Sequence, residues 1–101
     1  MNPKLTVSRE AIANFCRNHG IRRLAVFGSA LRDDFGPDSD VDVLVEFAPD
    51  RIPTLFDLVG MEQELSVLFG GRRVDLRTPN DLSPYFRNEV LAEAEVQYAA
   101  G

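Results

Sequence analysis

The alternation of residues 41–47 is the feature that most constrains how this chain can fold. Val41, Val43, Val45 and Phe47 occupy every second position, whereas the acidic residues, beginning with Asp40, fall between them. Because successive side chains of a strand point to opposite faces, the segment predicts a strand with one fully apolar face. The acidic residues then all lie on the other face of that strand.

Two helices and a second strand are predicted around it. Ser8 as a cap and Gly20 as a stop predict a helix over roughly residues 9–19, and the apolar run 24–27, which ends at Gly28, predicts a buried strand. Thr54 with Asp57 resembles a capping box that opens a helix up to the Gly70-Gly71 stop. The apolar stripe predicted for that helix comprises Leu55, Leu58, Val59, Leu65, Leu68 and Phe69.

The remaining chain predicts one more strand and one more helix. Residues 72–77 form a short strand with Asp75 opposite its aliphatic side chains, and Ser83-Pro84 opens a last helix through about Tyr98. The predicted order is helix, strand, short helical turn, strand, helix, strand, helix. We expect a single domain over residues 1–101, because a chain of this length can bury one modest core.

Charge and composition exclude several classes of function. The formal net charge of −5 gives a field that repels nucleic acid, so no direct nucleic-acid binding is expected. No apolar run approaches the roughly 18 residues that span a bilayer, and we expect a cytoplasmic protein without membrane association. The chain has one cysteine, Cys16, which excludes an internal disulfide framework. With a single histidine, His19, it also lacks the ligands for a zinc site.

Asp40 and Asp42 are the strongest candidates for chemistry. Two residues apart on a strand, their carboxylates point the same way and repel each other unless a cation lies between them. Oxygen-only ligands favour a hard cation, Mg²⁺ or Mn²⁺. Gly28-Ser29, where a strand ends and a short helix opens, favours an anion, so the two segments together predict a site for a metal-bound phosphate.

If Gly28-Ser29 and the acidic pair share one site, the end of the strand that stops at Gly28 must lie beside the start of the strand that carries Asp40 and Asp42. These two strands should therefore be antiparallel neighbours. Asp75 offers a further carboxylate, and three carboxylates on one sheet face could hold two metal ions. Asp75 also lies between Arg73 and Arg77 on the same strand face, and an ion pair is the alternative interpretation of it.

The order of these motifs resembles the nucleotidyltransferase superfamily of DNA polymerase beta. Gly28-Ser29 is followed after ten residues by Asp40, then by Asp42, and later by Asp75 in a strand. Nearly the whole chain is similar to the minimal nucleotidyltransferases, the MNT family. The similarity extends over Pro37-Asp38-Ser39-Asp40, Val74-Asp75-Leu76 and the tail positions Leu82, Pro84, Arg87, Glu93-Ala94 and Tyr98.

The resemblance implies an α+β fold of the polymerase beta-like type, with a small mixed sheet of about three strands flanked by helices. It implies that Asp40 and Asp42 are catalytic metal ligands shared by both ions, and that Asp75 binds the second ion and helps deprotonate the acceptor. Gly28-Ser29 would hold the β and γ phosphates of ATP, and Arg32 would face the leaving pyrophosphate.

Members of this family are commonly encoded beside a HEPN-domain ribonuclease toxin and act as its antitoxin by transferring AMP from ATP to a toxin tyrosine. The resemblance therefore implies a Mg²⁺-dependent protein adenylyltransferase in a hetero-oligomer with such a toxin. Two alternatives remain: an antitoxin that neutralises its partner by binding alone, and a small-molecule nucleotidyltransferase of the aminoglycoside-modifying kind. The short chain counts against the last, because it leaves no room for a domain that holds the acceptor. Tyr85, Phe86 and Tyr98 are candidates for a partner surface.

Overall fold

Four strands form one mixed sheet in the computed structural model of the chain. The structure describes residues 7–31, 36 and 39–100, and it describes Ser29 and Ala30 by their backbone alone. In chain order the strands are β1 (Ile21–Phe27), β2 (Val41–Phe47), β3 (Val74–Arg77) and β4 (Glu95–Ala99). The spatial order is β3-β2-β1-β4, with β1 antiparallel to both β2 and β4 and with β2 parallel to β3. The predicted α+β class and the predicted antiparallel pairing of β1 with β2 are both confirmed.

The first helix, α1 (Arg9–His19), has the bounds that its caps predict. The Ser8 side chain accepts a hydrogen bond from the Ala11 backbone N–H, and Gly20 ends the helix in the left-handed region at φ +68°. Because only glycine adopts that region without a steric penalty, Gly20 lets the chain turn directly into β1.

The second helix, α2 (Leu55–Leu68), begins with the predicted capping box between Thr54 and Asp57. The apolar stripe predicted for it is wrong at its start, because Leu55 is 80% exposed and Val59 is half exposed. The side of α2 that packs against the core comprises Leu58, Met61, Leu65 and Leu68. Helical spacing identified one side of α2 but could not show where the sheet beneath it ends.

The core lies between one sheet face and the two helices. Its largest contributions come from alternate residues of the strands and from the inner sides of α1 and α2: Ile12, Phe15, Cys16, Leu24, Val26, Val41, Val43, Val45, Met61, Leu65, Phe69 and Val74. Cys16 is fully buried, and burial raises the pKa of its thiol from 9.0 to about 12. A thiol with this pKa stays protonated at neutral pH, and in this position Cys16 packs as a core residue.

The end of the chain differs from the predicted last helix. After a turn at Ser83, helix α3 covers only Arg87–Glu93, and the chain then forms β4. The prediction of a helix through Tyr98 is therefore wrong. β1 has an edge that β2 does not occupy, and residues 95–99 pair with that edge, so that the sheet gains a fourth strand. In the described part of the chain, no helix has both the length and the apolar character needed to cross a membrane.

Candidate functional site

The antiparallel pairing of β1 with β2 brings the two predicted halves of the site together. Phe27, the last residue of β1, lies opposite Asp42, the second residue of β2. Gly28 follows Phe27 directly and opens a short 3₁₀ turn, Gly28–Leu31. The turn and the acidic pair therefore lie at the same end of the sheet, where β1 ends and β2 begins, as the sequence predicted.

Gly28 lies directly against the side chain of Asp42. It has a φ of +67°, and a Cβ atom built on it would lie 2.5 Å from Oδ2 of Asp42. Such a distance is far shorter than any ordinary contact, so the carboxylate of Asp42 occupies the space that a larger residue at position 28 would need. Glycine is required here for both its backbone conformation and its lack of a side chain.

Asp75 joins Asp42 on the same face of the sheet. The parallel register of β2 and β3 places the two residues directly opposite each other. Their neighbours Val43 and Val74 are buried in the core, so the two carboxylates must lie on the opposite face. Asp40 is exposed and lies one residue before β2. The N–H of Val41, the first residue of β2, donates to the carbonyl oxygen of Arg73, the residue before β3.

Arg77 contributes a positive charge to this face. Its Nη2 lies 3.2 Å from Oδ2 of Asp75, and each side chain is a little less than half exposed. The hydrogen bond to Asp75 is the main cause that raises the pKa of Arg77, followed by the charge of Asp75, with smaller contributions from Asp81 and Asp42. The ion pair that the sequence offered as an alternative for Asp75 is therefore formed, and Arg77 rather than Arg73 is its partner.

The segment before Asp40 is held by a residue that the sequence analysis did not single out. Arg72 donates a hydrogen bond from Nη1 to the carbonyl oxygen of Gly36 at 2.6 Å. Gly36 and Ser39 are joined in turn, because the Gly36 N–H donates to Oγ of Ser39 at 3.0 Å. Arg72 lies just before β3, and its contact with Gly36 depends on the parallel pairing of β2 with β3, which no local sequence pattern indicates.

The donor atoms suit a hard divalent cation by their chemistry. Asp40, Asp42 and Asp75 offer only carboxylate oxygens, the ligands that Mg²⁺ and Mn²⁺ prefer. Across residues 7–31, 36 and 39–100, no three acidic, histidine or cysteine side chains already surround one point where an ion could sit. The carboxylate of Asp75 is engaged by Arg77.

Of the predicted phosphate-binding positions, Ser29 is described by its backbone alone and Arg32 is not described. Ser29 lies in the 3₁₀ turn, which places its backbone next to Gly28. Arg32 lies outside the described residues, as do Pro37 and Asp38 of the acidic motif.

The comparisons with known proteins agree with this geometry. Residues 8–96 match the model of the nucleotidyltransferase domain family. The chain is 38% identical over 76 residues to a Methanocaldococcus jannaschii protein named as a protein adenylyltransferase, covering 75% of this chain and 78% of that protein. It is 40% identical over 74 residues to the protein adenylyltransferase MntA of Thermococcus cleftensis, covering 73% and 72% respectively.

Solved structures give the same result at the level of the fold. A minimal nucleotidyltransferase superposes with a TM-score of 0.69 at 42% identity, over 85% of each chain, which confirms the resemblance to the minimal nucleotidyltransferases. A toxin–antitoxin crystal structure with AMP-PNP superposes with a TM-score of 0.72 over 93% of this chain and 75% of that one. Its identity is 17%, so that likeness is one of fold alone.

Proposed function

Because the chain belongs to the nucleotidyltransferase domain family, we propose that it transfers AMP from ATP to a hydroxyl group of a partner protein. The observation that carries the proposal is that Gly28, Asp42 and Asp75 lie together at one end of the sheet, where β1 ends and β2 begins. Relatives named protein adenylyltransferases, at 38% and 40% identity, support a protein as the acceptor.

We assign the metal to the carboxylates of Asp40, Asp42 and Asp75. Mg²⁺ is the preferred ion, with Mn²⁺ as the alternative, because all three donors are carboxylates. When bound, such an ion stabilises the negative charge that develops on the phosphate oxygens during transfer. In this role the metal ion shares the carboxylate of Asp75 with Arg77, whose Nη2 lies 3.2 Å from Oδ2.

The other steps are carried by the chain's own residues. Asp75 accepts the proton of the acceptor hydroxyl, whose oxygen bonds to the α phosphorus of ATP while the bond to pyrophosphate breaks. The backbone at Gly28 and Ser29 holds the β and γ phosphates, which the missing side chain of Gly28 allows to approach closely. Arg32 is assigned to the leaving pyrophosphate through the family resemblance.

The partner we propose is a HEPN-domain ribonuclease toxin, with a tyrosine as the acceptor and this chain as its antitoxin. Toxin–antitoxin structures share the fold, one of them with a TM-score of 0.72. Exposed apolar side chains supply a surface for such a partner, because a run of them on a small domain commonly marks an interface. Ile52 and Phe56 are each 90% exposed beside Leu55 at the start of α2, and Tyr85 is 91% exposed before α3.

We propose that this apolar surface forms a stable hetero-oligomer with the toxin. Because this chain is acidic, with a formal net charge of −5, we expect the partner to be basic. Electrostatic complementarity of that kind raises the rate of association and makes it sensitive to salt. Binding of nucleic acid by this chain alone is not part of the proposal, since its formal net charge is −5. A cytoplasmic location and a single domain over residues 1–101 remain predictions from the sequence.

The direct test is incubation of the purified chain with ATP, Mg²⁺ and the protein encoded beside it, followed by mass spectrometry of that protein. We expect the partner to gain one or more AMP groups. Asp42→Asn should lower the rate by orders of magnitude, because the metal ion supplies most of the charge stabilisation in phosphoryl transfer. Asp50→Asn is the matched control, because Asp50 is exposed in the turn after β2, at the far end of that strand from the site.

The outcomes separate the proposed activity from its alternatives. Undiminished transfer in EDTA, or full activity of Asp42→Asn, contradicts the proposed mechanism. If Asp42→Asn transfers nothing but still suppresses the partner's ribonuclease activity, the chain is an antitoxin that acts by binding. Transfer to an aminoglycoside but to no protein would favour the small-molecule alternative.

A further inference from the structure

We propose that Arg77 is a built-in counter-cation of the carboxylate site and competes with the divalent metal ion for Asp75. In this role Arg77 is a positioning residue, which holds Asp75 in one place while the metal is absent. The inference rests on the proposed function in one respect, namely that Asp42 and Asp75 are metal ligands.

The strand geometry keeps Arg77 close to Asp75. The two residues are two positions apart on β3, so their side chains leave the same face of the sheet. The guanidinium Nη2 lies 3.2 Å from Oδ2 of Asp75. One carboxylate oxygen that a metal ion would use is thereby engaged by a positively charged donor.

Asp42 belongs to the same charge cluster. It lies opposite Asp75 on the neighbouring strand, and the next residue of β2 on that face, Leu44, lies opposite Arg77. This register places the guanidinium of Arg77 on the same sheet face as both carboxylates, next to Asp75 and diagonally across from Asp42. Arg77 therefore offsets the repulsion that two adjacent carboxylates would otherwise exert on each other.

A divalent ion bound to Asp75 competes with this guanidinium for the negative charge of the carboxylate. Two cations at one carboxylate repel each other, and the oxygen at 3.2 Å from Arg77 cannot serve both fully. The part of the ion-pair free energy that is lost in this competition is subtracted from the free energy of metal binding. Removing the charge at position 77 should consequently lower the stability of the metal-free protein and raise its affinity for the metal ion.

The test compares Arg77→Met with Arg73→Met in the full chain, without nucleotide and at low salt. Arg73 is the matched control, because it lies two positions before Asp75 and its loss changes the net charge equally. No ion pair joins Arg73 to Asp75 within the described residues. The Mn²⁺ dissociation constant is measured by electron paramagnetic resonance, and the melting temperature is measured in EDTA.

We expect Arg77→Met to bind Mn²⁺ about two- to fivefold more tightly than the wild type, the range that corresponds to a partly exposed ion pair. It should also melt at a lower temperature in EDTA. Arg73→Met should change both quantities less, and Arg77→Lys, which keeps the charge, should restore a dissociation constant near that of the wild type. A purely structural role for Arg77 would lower the melting temperature without tightening Mn²⁺ binding.

Three results would overturn the inference: no Mn²⁺ binding by Arg77→Met, binding no tighter than that of the wild type, or equal tightening in Arg73→Met. Asp42→Asn separates this failure from failure of the proposed function. If Asp42→Asn binds Mn²⁺ as well as the wild type does, the metal site itself is wrong. If only Asp42→Asn loses binding while Arg77→Met equals the wild type, the site stands and the competition by Arg77 is refuted.

Discussion

Replacing Gly28 by alanine is the sharpest test of the site, because the residue stands at φ +67° and against the carboxylate of Asp42. The left-handed backbone costs an L-residue about 1–2 kcal/mol, which for a domain of this size lowers the melting temperature by about 4–15 °C. The new Cβ would also lie 2.5 Å from Oδ2 of Asp42. Asp42 must move by close to 1 Å to reach the 3.4 Å at which ordinary contacts begin.

A displacement of that size matters for chemistry more than for stability. A misplacement of about 1 Å in a reacting group can cost roughly 100-fold in rate, so Gly28→Ala should lower AMP transfer by about two orders of magnitude. Thermal unfolding followed by circular dichroism measures the first effect. The rate of AMP transfer to the partner protein measures the second.

Gly70→Ala is the matched control for both measurements. Gly70 has a φ of +74°, and a Cβ atom there would have no neighbour within 4 Å. Its replacement should carry the same backbone penalty without moving Asp42, so it should lose stability and keep its transfer rate. If Gly28→Ala transfers AMP as fast as Gly70→Ala does, the close approach of Gly28 does not position Asp42, and the reasoning is refuted.

Three further predictions concern α2. Thr54→Ala removes the hydroxyl that caps the helix and should cost about 1 kcal/mol at neutral pH, measured by urea unfolding. Hydrogen bonds from the backbone N–H and the side chain of Thr54 lower the pKa of Asp57, so the stabilisation they provide is present above the unfolded-state pKa and disappears as the pH falls through the lower folded-state value. Asp57→Ala should therefore lose stability at neutral pH and less of it in strong acid, and a deficit of Asp57→Ala that stays constant into strong acid would contradict this account. Phe56→Ser should weaken binding of the partner toxin at least tenfold in calorimetry, whereas Val67→Ser, at a 76% exposed position eleven residues along the same helix, should not; equal effects would place the interface elsewhere.

The elements that the sequence predicted well are those whose signals are local. Ser8 with Gly20, and Thr54 with Asp57, carry their hydrogen bonds within a few residues, so the starts of both long helices and the end of α1 follow from the sequence. Asp40, which the acidic pattern placed on the strand, lies one residue before β2, but over 41–47 the alternation predicted β2 correctly. Its apolar face required the carboxylates to lie opposite the core.

The last part of the chain shows the limit of local patterns. Phe86, Val90, Ala94 and Tyr98 recur at helical spacing, yet the helix ends at Glu93 and β4 follows. The competing signal is the unpaired edge of β1, which residues far away in the sequence create and which supplies backbone hydrogen bonds to any strand that lies beside it. No window of neighbouring residues contains that information.

The site divides in the same way. The sequence by itself determined the carboxylates, the glycine turn and the antiparallel pairing that must unite them, because charge repulsion and strand alternation act on residue types and spacing alone. Only the tertiary structure decided that Arg77 and not Arg73 pairs with Asp75, that Arg72 holds Gly36, and that Leu55 at the start of α2 stays exposed. These outcomes depend on register between strands and on where the sheet ends, which are set by the packing of the whole chain.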